Sequence, residues 1–220
     1  MNAWNSGTAE KADVFDSFAE IVKAVANGRR LELLELMAQG EHGVDELARA
    51  TGAAVTTTSA HLQTLKRAGL VATRREGNSI RYRLAGDDVA ELYTAAKRVA
   101  LARSPRLREA LESYLGQPAQ PASVDPAAVT AEMFVLDVRP REEYDAGHFV
   151  SAVSIPLAEL EERYGEIPDG ARVVVYCRGE LCRMAREAAA WLRERGVDAA
   201  AMVGGVVEWR ASPEVHLAVA

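Results

Sequence analysis

The residues best suited to chemistry are Cys177 and Cys182, the only cysteines in the 220-residue chain. Both lie in residues 176–183, between an apolar run that predicts a buried strand and a pattern that predicts a helix. A loop at the carboxyl end of a central parallel strand is a common place for ligand binding. Two cysteines are too few for a disulfide scaffold, and their closeness indicates reactive thiols or a redox pair.

The segment around these thiols supplies groups that would ionise one of them. The N–H groups and dipole of the following helix, with Arg178 and Arg183, favour an anion, so we expect a lowered pKa for Cys177. Gly179 lets the backbone curl around the sulfur. Such a cradle suits sulfur transfer through a persulfide, or phosphoryl or arsenate chemistry on an oxyanion. The candidate active-site loop comprises Cys177, Arg178, Gly179, Glu180, Leu181, Cys182 and Arg183.

Cys182 has two interpretations. As a second thiol it is close enough along the chain to attack a Cys177 persulfide, which would give a disulfide or polysulfide bridge. As a structural residue it would be a small side chain packed at the start of the helix. Both interpretations stay open from the sequence.

Short apolar strands alternate with helices over the second half of the chain. The alternation predicts a parallel α/β sheet covered on both faces. Strands are predicted at residues 134–136, 173–176 and 199–203, and helices at 140–145, 157–164, 183–195 and 205–211.

Two further motifs flank the cysteine loop. Residues 135–148 run from a strand into Asp-Val-Arg, then Glu-Tyr and Gly-His, and residues 204–209 read Gly-Gly-Val-Val-Glu-Trp. With the loop, these motifs resemble the rhodanese family over about residues 124–215. The resemblance implies that Cys177 is the sulfur-accepting nucleophile and that residues 178–182 form its amide cradle. Asp137 and Arg139 are interpreted as a polar pair that is structural or lies at the pocket edge, with an acid–base couple as the alternative. His148 is interpreted as structural, with a base as the alternative, and Trp209 as core.

An oxyanion alternative also follows from resemblance. Five residues separate Cys177 from Arg183, a spacing similar to that of cysteine-dependent phosphatases and rhodanese-fold arsenate reductases. The residues from Cys177 also resemble the six-residue loop of common rhodaneses. A loop of that length would end near residue 182 and would place Arg183 in the helix. Whether the loop has six or seven residues stays open.

The first half of the chain has a local excess of positive charge, although the whole protein has a net charge of −6. Between residues 55 and 83 the only acidic residue is Glu76, and the basic residues are Lys66, Arg67, Arg74, Arg75, Arg81 and Arg83. A basic stripe on an acidic protein is typical of a nucleic-acid interface.

Helical spacing of apolar residues dominates this half. It predicts helices at residues 11–26, 29–38, 44–51 and 55–68, a hairpin of strands at 70–75 and 79–84, and a last helix at about 87–115. Ala60, Leu62, Leu65 and Ala68 are expected to face inward on the fourth helix. This order is that of a winged helix-turn-helix.

The fourth helix would enter the major groove, where short polar side chains contact base edges, while the hairpin arginines neutralise phosphates. Ser and Thr have low helix propensity, so a run of them would be unusual on a helix face that only contacts solvent. The predicted DNA-binding residues are Thr56, Thr57, Thr58, Ser59, His61, Gln63, Thr64, Lys66, Arg67, Arg74, Arg75, Arg81 and Arg83.

Residues 44–48, 57–71 and 75–84 together resemble the ArsR family of small bacterial repressors, over roughly residues 15–112. The resemblance implies a homodimer through the first and last helices of this half, and a palindromic double-stranded DNA operator. Many members sense metals through cysteines in the third helix, whereas residues 43–46 here contain no thiol. We therefore expect no metal site and no cofactor.

The expected architecture has two domains. A mainly-α winged helix-turn-helix domain at residues 1–115 is followed by a linker at 116–124, which contains two prolines, and by an α/β rhodanese-like domain with a central parallel sheet at 125–220. No uncharged apolar run of membrane-spanning length occurs, and the N-terminus lacks a signal-peptide pattern, so a cytoplasmic location is expected.

These patterns favour a transcriptional repressor whose rhodanese-like domain reacts at Cys177 with sulfane sulfur or a related small thiophilic ligand. One alternative is an active sulfurtransferase that uses a thiosulfate or persulfide donor. Another is arsenate reductase or phosphatase-like chemistry on an oxyanion. For the first half, the alternative to DNA binding is a helical interaction module.

Overall fold

A computed structural model describes residues 7–116, 123–212 and 214–219. Most of the predicted linker, residues 117–122, lies outside the described residues. The helices are α1 (Gly7–Val25), α2 (Gly28–Met37), α3 (Val44–Thr51), α4 (Val55–Arg67), α5 (Asp87–Arg103), α6 (Pro105–Leu115), α7 (Arg141–Ala146), α8 (Leu160–Arg163), α9 (Met184–Arg193) and α10 (Val206–Arg210). The strands are β1 (His42–Gly43), β2 (Val71–Glu76), β3 (Ser79–Leu84), β4 (Met133–Asp137), β5 (His148–Phe149), β6 (Val153–Ser154), β7 (Arg172–Tyr176), β8 (Ala199–Ala201) and β9 (Leu217–Ala218).

Contacts divide the chain into two compact units. The first contains the residues up to Leu34 and His42–Ala85, and the second contains Glu35–Glu41 and Gly86–Ala220. The last two helices of the predicted DNA-binding half, α5 and α6, therefore group with the second unit. The domain boundary at 116–124 stays a prediction.

The first unit is a winged helix. β1, β3 and β2 form an antiparallel sheet in that order, and β2 and β3 are joined by a two-residue turn in which Gly77 adopts a φ of 59°. Leu47 of α3 and Leu62 and Leu65 of α4 are buried. Each such leucine stabilises the fold by about 1.5–3 kcal/mol, so this small core holds α4 against α3.

Two predictions for α4 were wrong. Thr58 was expected on the outer face but is buried, because residues 58, 62 and 65 fall on one helical stripe and the hydroxyl faces inward with the two leucines. Ala60 was expected inward but is exposed, since it lies off that stripe.

The second unit contains a four-stranded parallel sheet in the order β6-β4-β7-β8. Alternate residues of β7 point to opposite faces, as the period of a strand requires. Val173 and Val175 pack in the core beneath α9, whereas Val174 and Tyr176 pack with Trp209 of α10 on the other face. The sheet is thus covered on both sides, which confirms the predicted fold class.

The predicted single helix at 87–115 is two helices. It breaks at Ser104, whose backbone is extended and whose hydroxyl accepts a hydrogen bond from the Leu107 N–H at the start of α6. Pro105 has no N–H to donate within a continuous helix, which explains the break. The predicted helix at 157–164 is also shorter, because only Leu160–Arg163 is α-helical and two 3-10 turns flank it.

Among the described residues, no helix is both long enough and apolar enough to cross a membrane.

Candidate functional site

The end of β7 fixes the position of Cys177. It follows Tyr176 directly and continues the stripe of Val173 and Val175, so its side chain faces the core beneath α9 and is 1% exposed. The carbonyl of Cys177 accepts a hydrogen bond from the Val206 N–H at 3.4 Å, at the start of α10. The loop backbone therefore rests against the start of α10.

The surroundings of Cys177 disfavour its thiolate. A hydrogen bond between its thiol and the Cys182 side chain raises the pKa of Cys177 well above its ordinary value, and burial acts in the same direction. The N–H groups of Ala185 and Gly179 act in the opposite direction but do not prevail. The Cys177 sulfur also lies 3.6 Å from the carbonyl oxygen of Cys182. The expectation of an accessible, ionised Cys177 was therefore wrong.

Cys182 has the opposite properties. The hydrogen bond that it accepts from Cys177 lowers the pKa of Cys182 to about 7, although burial works against this. N–H groups of Met184 and Arg178 also donate to its sulfur, and the positive charge of Arg178 adds to the effect. Cys182 is only partly buried, whereas Cys177 is buried. The N–H groups of the loop and of the start of α9 are thus shared between the two sulfurs: those of Ala185 and Gly179 reach Cys177, and those of Met184 and Arg178 reach Cys182.

The two loop arginines have carboxylate partners. Arg178 binds the carboxylate of Glu143, which is almost fully buried, at 2.6 Å. Arg183 is the N-terminal flanking residue of α9, pairs with Glu187 one turn later, and stacks over the Tyr114 ring at 5.7 Å. Arg183 therefore flanks the helix, which favours the six-residue loop, and its pairing with Glu187 gives no support to an Arg183 oxyanion site.

Asp137 and Arg139 do not line a pocket edge. Both are fully buried and form an ion pair at 2.6 Å. Arg139 also donates to the carbonyl of Gly147 at 2.8 Å, and the Tyr176 hydroxyl donates to Asp137 at 2.5 Å. The pair is structural: it joins the ends of β4 and β7 to the segment after α7. His148 is also buried, and it stacks on Tyr144.

A polar cluster around the buried Lys97, which the sequence analysis missed, includes part of the loop within the second unit. Lys97 of α5 forms ion pairs with Glu180 of the loop, at 3.0 Å, and with Glu208 of α10. Burial works against the charged form of Lys97, but these two carboxylates raise its pKa overall. The sequence signal for this cluster was a polar residue, such as Lys97, at a helix position that apolar spacing predicts to face inward. Such a position does not show which residues the side chain pairs with.

The end of α2 also contacts this loop. Gln39 is fully buried, donates to the carbonyl of Arg178 at 3.3 Å, and accepts from the guanidinium of Arg139 at 3.1 Å. Glu35 accepts a hydrogen bond from the Tyr93 hydroxyl at 3.4 Å. Burial raises the pKa of Glu35 to about 7, with the negative charge of Cys182 as the next cause.

The predicted DNA-binding residues are distributed along α4 and the β2–β3 hairpin of the first unit. Those on the exposed surface are Thr56, Thr57, Gln63, Lys66, Arg67, Arg74, Arg75 and Arg83, while Ser59, His61 and Thr64 are half-buried. Arg81 is half-buried and pairs with Glu46 at 2.6 Å and with Glu76 at 3.2 Å. Two carboxylates already pair with the guanidinium of Arg81, so its predicted phosphate contact is less favoured than that of Arg75, which is exposed near the hairpin tip.

Within the part of the chain that the structure describes, no group of three or more His, Cys, Asp or Glu side chains is arranged to hold a metal ion.

Two family models match the chain. Residues 27–73 match the model described as bacterial regulatory protein, arsR family, and residues 123–212 match the rhodanese-like domain. The HTH-type transcriptional regulator Rv0324 of Mycobacterium tuberculosis is 43% identical over 203 residues, which are 91% of this chain and 90% of that protein.

Solved structures are similar to each part of the chain. The homodimeric winged helix-turn-helix DNA-binding domain of Mb0332 from Mycobacterium bovis is 50% identical, and the match covers 44% of this chain and 89% of that structure with a TM-score of 0.41. A rhodanese-related protein from Thermoplasma volcanium is 24% identical, with 44% and 98% covered and a TM-score of 0.40.

Proposed function

Because the chain belongs to the ArsR family of winged helix-turn-helix transcriptional regulators and carries a C-terminal rhodanese-like domain, we propose that it is a repressor that responds to sulfane sulfur through its two thiols. The observation that carries the proposal is the pairing of Cys177 and Cys182 beneath the N-terminus of α9. The same chain contains a winged helix, whose DNA binding can change when the thiols are modified.

Operator binding is supported by the exposed polar face of α4 and by the basic hairpin. A recognition helix with short polar side chains suits base edges in the major groove, and arginines of the wing suit phosphates. The similarity to a homodimeric DNA-binding domain supports double-stranded DNA and a second copy of the chain as partners. Two copies related by a twofold axis would bind a palindromic operator.

Thiol chemistry is supported by the lowered pKa of Cys182, because the thiolate is the reactive form of cysteine. A second thiol in the same loop, whose sulfur lies 3.6 Å from the Cys182 carbonyl oxygen, provides a route to a disulfide. The small ligand is therefore proposed to be a sulfur-containing molecule with a reactive S–S bond. A regulator needs only one modification of its thiols per signal and does not need catalytic turnover.

The response requires that the free energy of DNA binding differs between the modified and the unmodified protein. To test this, a binding site is selected from random DNA by the protein itself. Its dissociation constant is then measured before and after treatment with a low-molecular-weight persulfide. We expect the dissociation constant to change by about 10-fold or more, since allosteric coupling is typically 1–3 kcal/mol.

The matched control is the double variant Cys177→Ser with Cys182→Ser, whose dissociation constant is expected to stay the same after treatment. Reduction of the treated protein with a dithiol should restore the original value. If the wild-type protein takes up sulfur, as judged by its mass, and its dissociation constant is unchanged, the sensor function is contradicted.

A sulfurtransferase remains the second candidate, because a partly exposed thiol of low pKa at a helix N-terminus also suits repeated transfer. The two functions differ in stoichiometry. Many turnovers per chain with thiosulfate or persulfide as donor and a thiol or cyanide as acceptor favour the enzyme, whereas one modification per chain favours the sensor.

A further inference from the structure

The segment that follows α2 contacts the backbone of the cysteine loop. Gln39 is fully buried, and its side-chain amide donates a hydrogen bond to the carbonyl oxygen of Arg178 at 3.3 Å. The side-chain carbonyl of Gln39 accepts a hydrogen bond from the guanidinium of Arg139 at 3.1 Å. A buried amide without partners is unfavourable, so these bonds hold the backbone next to Cys177 in one position.

α5 provides a second contact to the same loop. The ammonium group of Lys97 is 6% exposed and pairs with the carboxylate of Glu180 at 3.0 Å, and with that of Glu208 at the start of α10. The contacts of Gln39 and Lys97 therefore hold the loop at the first and third residues after Cys177. Both come from segments that precede the predicted linker, and α5 begins three residues after β3 of the winged helix ends.

The packing around Cys177 leaves little room for an added atom. Its side chain lies in the core beneath α9 and is 1% exposed. Its sulfur is 3.6 Å from the carbonyl oxygen of Cys182 and 4.0 Å from that of Gly179. A persulfide adds a sulfur atom at about 2 Å from Sγ, and protein interiors are close-packed. We therefore expect reaction at Cys177, whether it ends in a persulfide or in a disulfide, to displace the loop backbone.

α2 continues from the Gln39 contact into the winged helix. Gln39 follows the helix closely, and its N–H donates to the carbonyl of Leu36 at 2.9 Å. The division between the two compact units falls within α2, after Leu34. In the first turn of α2, Arg29 donates to the carbonyl of Thr51 at the end of α3, at 2.8 Å. A helix of 10 residues is about 15 Å long and is held by its own backbone hydrogen bonds, so displacement of one end is transmitted to the other.

We infer that Gln39 and Lys97 are positioning residues that couple the cysteine loop to the winged helix. In the unmodified protein they hold the loop to α2 and α5. Reaction at Cys177 displaces the loop, breaks the contact of Gln39 with the Arg178 carbonyl, and releases the end of α2. The inference rests on the proposed function, because it specifies how reaction at the thiols changes operator affinity, and it holds for either product at Cys177.

The first test measures amide hydrogen exchange of the wild-type protein before and after treatment with a low-molecular-weight persulfide. Loss of the Gln39 contact should raise exchange in residues 35–40 by about threefold or more, which corresponds to the loss of one hydrogen bond. The mass of the same sample verifies that the thiols have reacted. The double variant Cys177→Ser with Cys182→Ser is the control, and its exchange should not change. Unchanged exchange in reacted wild-type protein, or an equal rise in the control, would overturn the inference.

The second test measures the dissociation constant for the operator in Gln39→Met. Methionine has a similar length but can neither donate to the Arg178 carbonyl nor accept from Arg139. The untreated variant should therefore already resemble the reacted wild-type protein. The ratio of the dissociation constants after and before persulfide treatment should fall from about 10-fold or more to below about threefold. The extent of thiol reaction should stay the same, since Gln39 lies outside the loop.

Lys97→Gln removes the positive charge that holds Glu180 and should lower the same ratio. Arg98→Gln is its control, because it removes the same charge from the next position of α5, which is exposed, and it should keep the wild-type ratio. A folded Gln39→Met protein with the wild-type ratio would overturn the inference. Where Gln39→Met does not fold, a wild-type ratio in Lys97→Gln would overturn it instead.

Operator affinity of the wild-type protein separates failure of this inference from failure of the proposed function. A dissociation constant that does not respond to thiol reaction contradicts the sensor. Raised exchange in residues 35–40 would then still support release of α2 by the loop. A dissociation constant that responds, with exchange unchanged in these residues, leaves the sensor standing and overturns the coupling through Gln39.

Discussion

Gly205 shows how closely the backbone of the cysteine loop approaches the start of α10. A Cβ atom added there would lie 2.4 Å from the Cys177 carbonyl oxygen and 2.6 Å from the Gly179 nitrogen. We predict that Gly205→Ala destabilises the protein by about 1–3 kcal/mol, since neither backbone can move without disturbing the core. The measurements are the free energy of unfolding by denaturant and the rate of Cys182 alkylation, which should fall as the loop shifts.

Gly165→Ala is the control for this substitution. Gly165 lies in a 3-10 turn of the same unit, and an added Cβ would meet no heavy atom within 4 Å. Its stability and alkylation rate should therefore match those of the wild-type protein. A Gly205→Ala protein as stable as this control would show that the loop and α10 are not closely packed.

At the residue scale, the sequence predicts where chemistry occurs better than which atom performs it. The strand–loop–helix pattern located both thiols, and the motif around Asp137 and Arg139 was recognised. The opposite directions in which the pKa values of Cys177 and Cys182 shift were not predictable, because they depend first on the hydrogen bond between the two side chains and then on burial and backbone N–H groups. The amino-acid composition of the loop does not show which of the two thiols has the raised pKa and which the lowered pKa.

At the scale of elements, α2 ends beside the cysteine loop. Glu35 of this helix is surrounded by charged groups from three other segments: Cys182 and Arg178 of the loop, Glu208 of α10 and Lys97 of α5. A carboxyl group in such a place responds to the charge of the thiol. When Cys182 loses its negative charge in a disulfide, the pKa of Glu35 should fall, because that charge helps to raise it.

We predict that Glu35 makes the stability of the reduced protein depend on pH. Its pKa is about 7 in the folded protein, against an ordinary value of 4.5, so the folded state binds the proton more tightly. The contribution of Glu35 to the free energy of unfolding should therefore be fully present below about pH 5 and be lost as the pH rises to about 7, by no more than about 3 kcal/mol. The measurement is urea unfolding at several pH values.

In Glu35→Gln this part of the pH dependence should disappear, because the amide does not titrate. Glu32→Gln is the control: Glu32 lies three residues earlier on α2 and pairs with Arg29 at the surface. It should keep the wild-type slope. A Glu35→Gln protein with the wild-type slope would show that Glu35 is ionised in the folded state.

The helices and strands themselves were largely predictable from apolar spacing. The hairpin of β2 and β3 and the alternation around β4 and β7 follow directly from local pattern. The break between α5 and α6 was also readable from Pro105, whose effect on a helix is local. The packing of α5 against α10 was not, because it joins segments more than a hundred residues apart.

At the scale of the whole molecule, α1 carries an apolar stripe that the described chain leaves exposed. Val14, Phe15, Phe18 and Val22 are 66%, 59%, 64% and 45% exposed and recur at helical spacing. Exposed apolar stripes of this kind are typical of protein–protein interfaces. The ArsR resemblance implied a homodimer through the first helix, and this stripe is the surface on which a second copy would pack.

We predict that Phe18→Glu converts a dimer into a monomer. In an isologous interface the residue occurs twice, so each dimer would lose two buried phenylalanines, each contributing about 1.5–3 kcal/mol, and would have to bury two charges. Folding of the single chain should be little affected, because Phe18 is mostly exposed in it. Molar mass is measured by light scattering after gel filtration, with circular dichroism as the check on folding.

The monomer should also bind the selected operator more weakly, because a palindromic site needs two recognition helices held at a fixed spacing. Val150→Glu, at a position of the second unit that is 55% exposed, introduces the same charge outside α1 and should leave both mass and DNA affinity unchanged. A wild-type monomer would contradict the dimer, and a Phe18→Glu protein that is still a dimer would place the interface elsewhere. In that case Val99 of α5, which is 57% exposed, is the next position to substitute, since the family resemblance also implies a contact through the last helix of the predicted DNA-binding half.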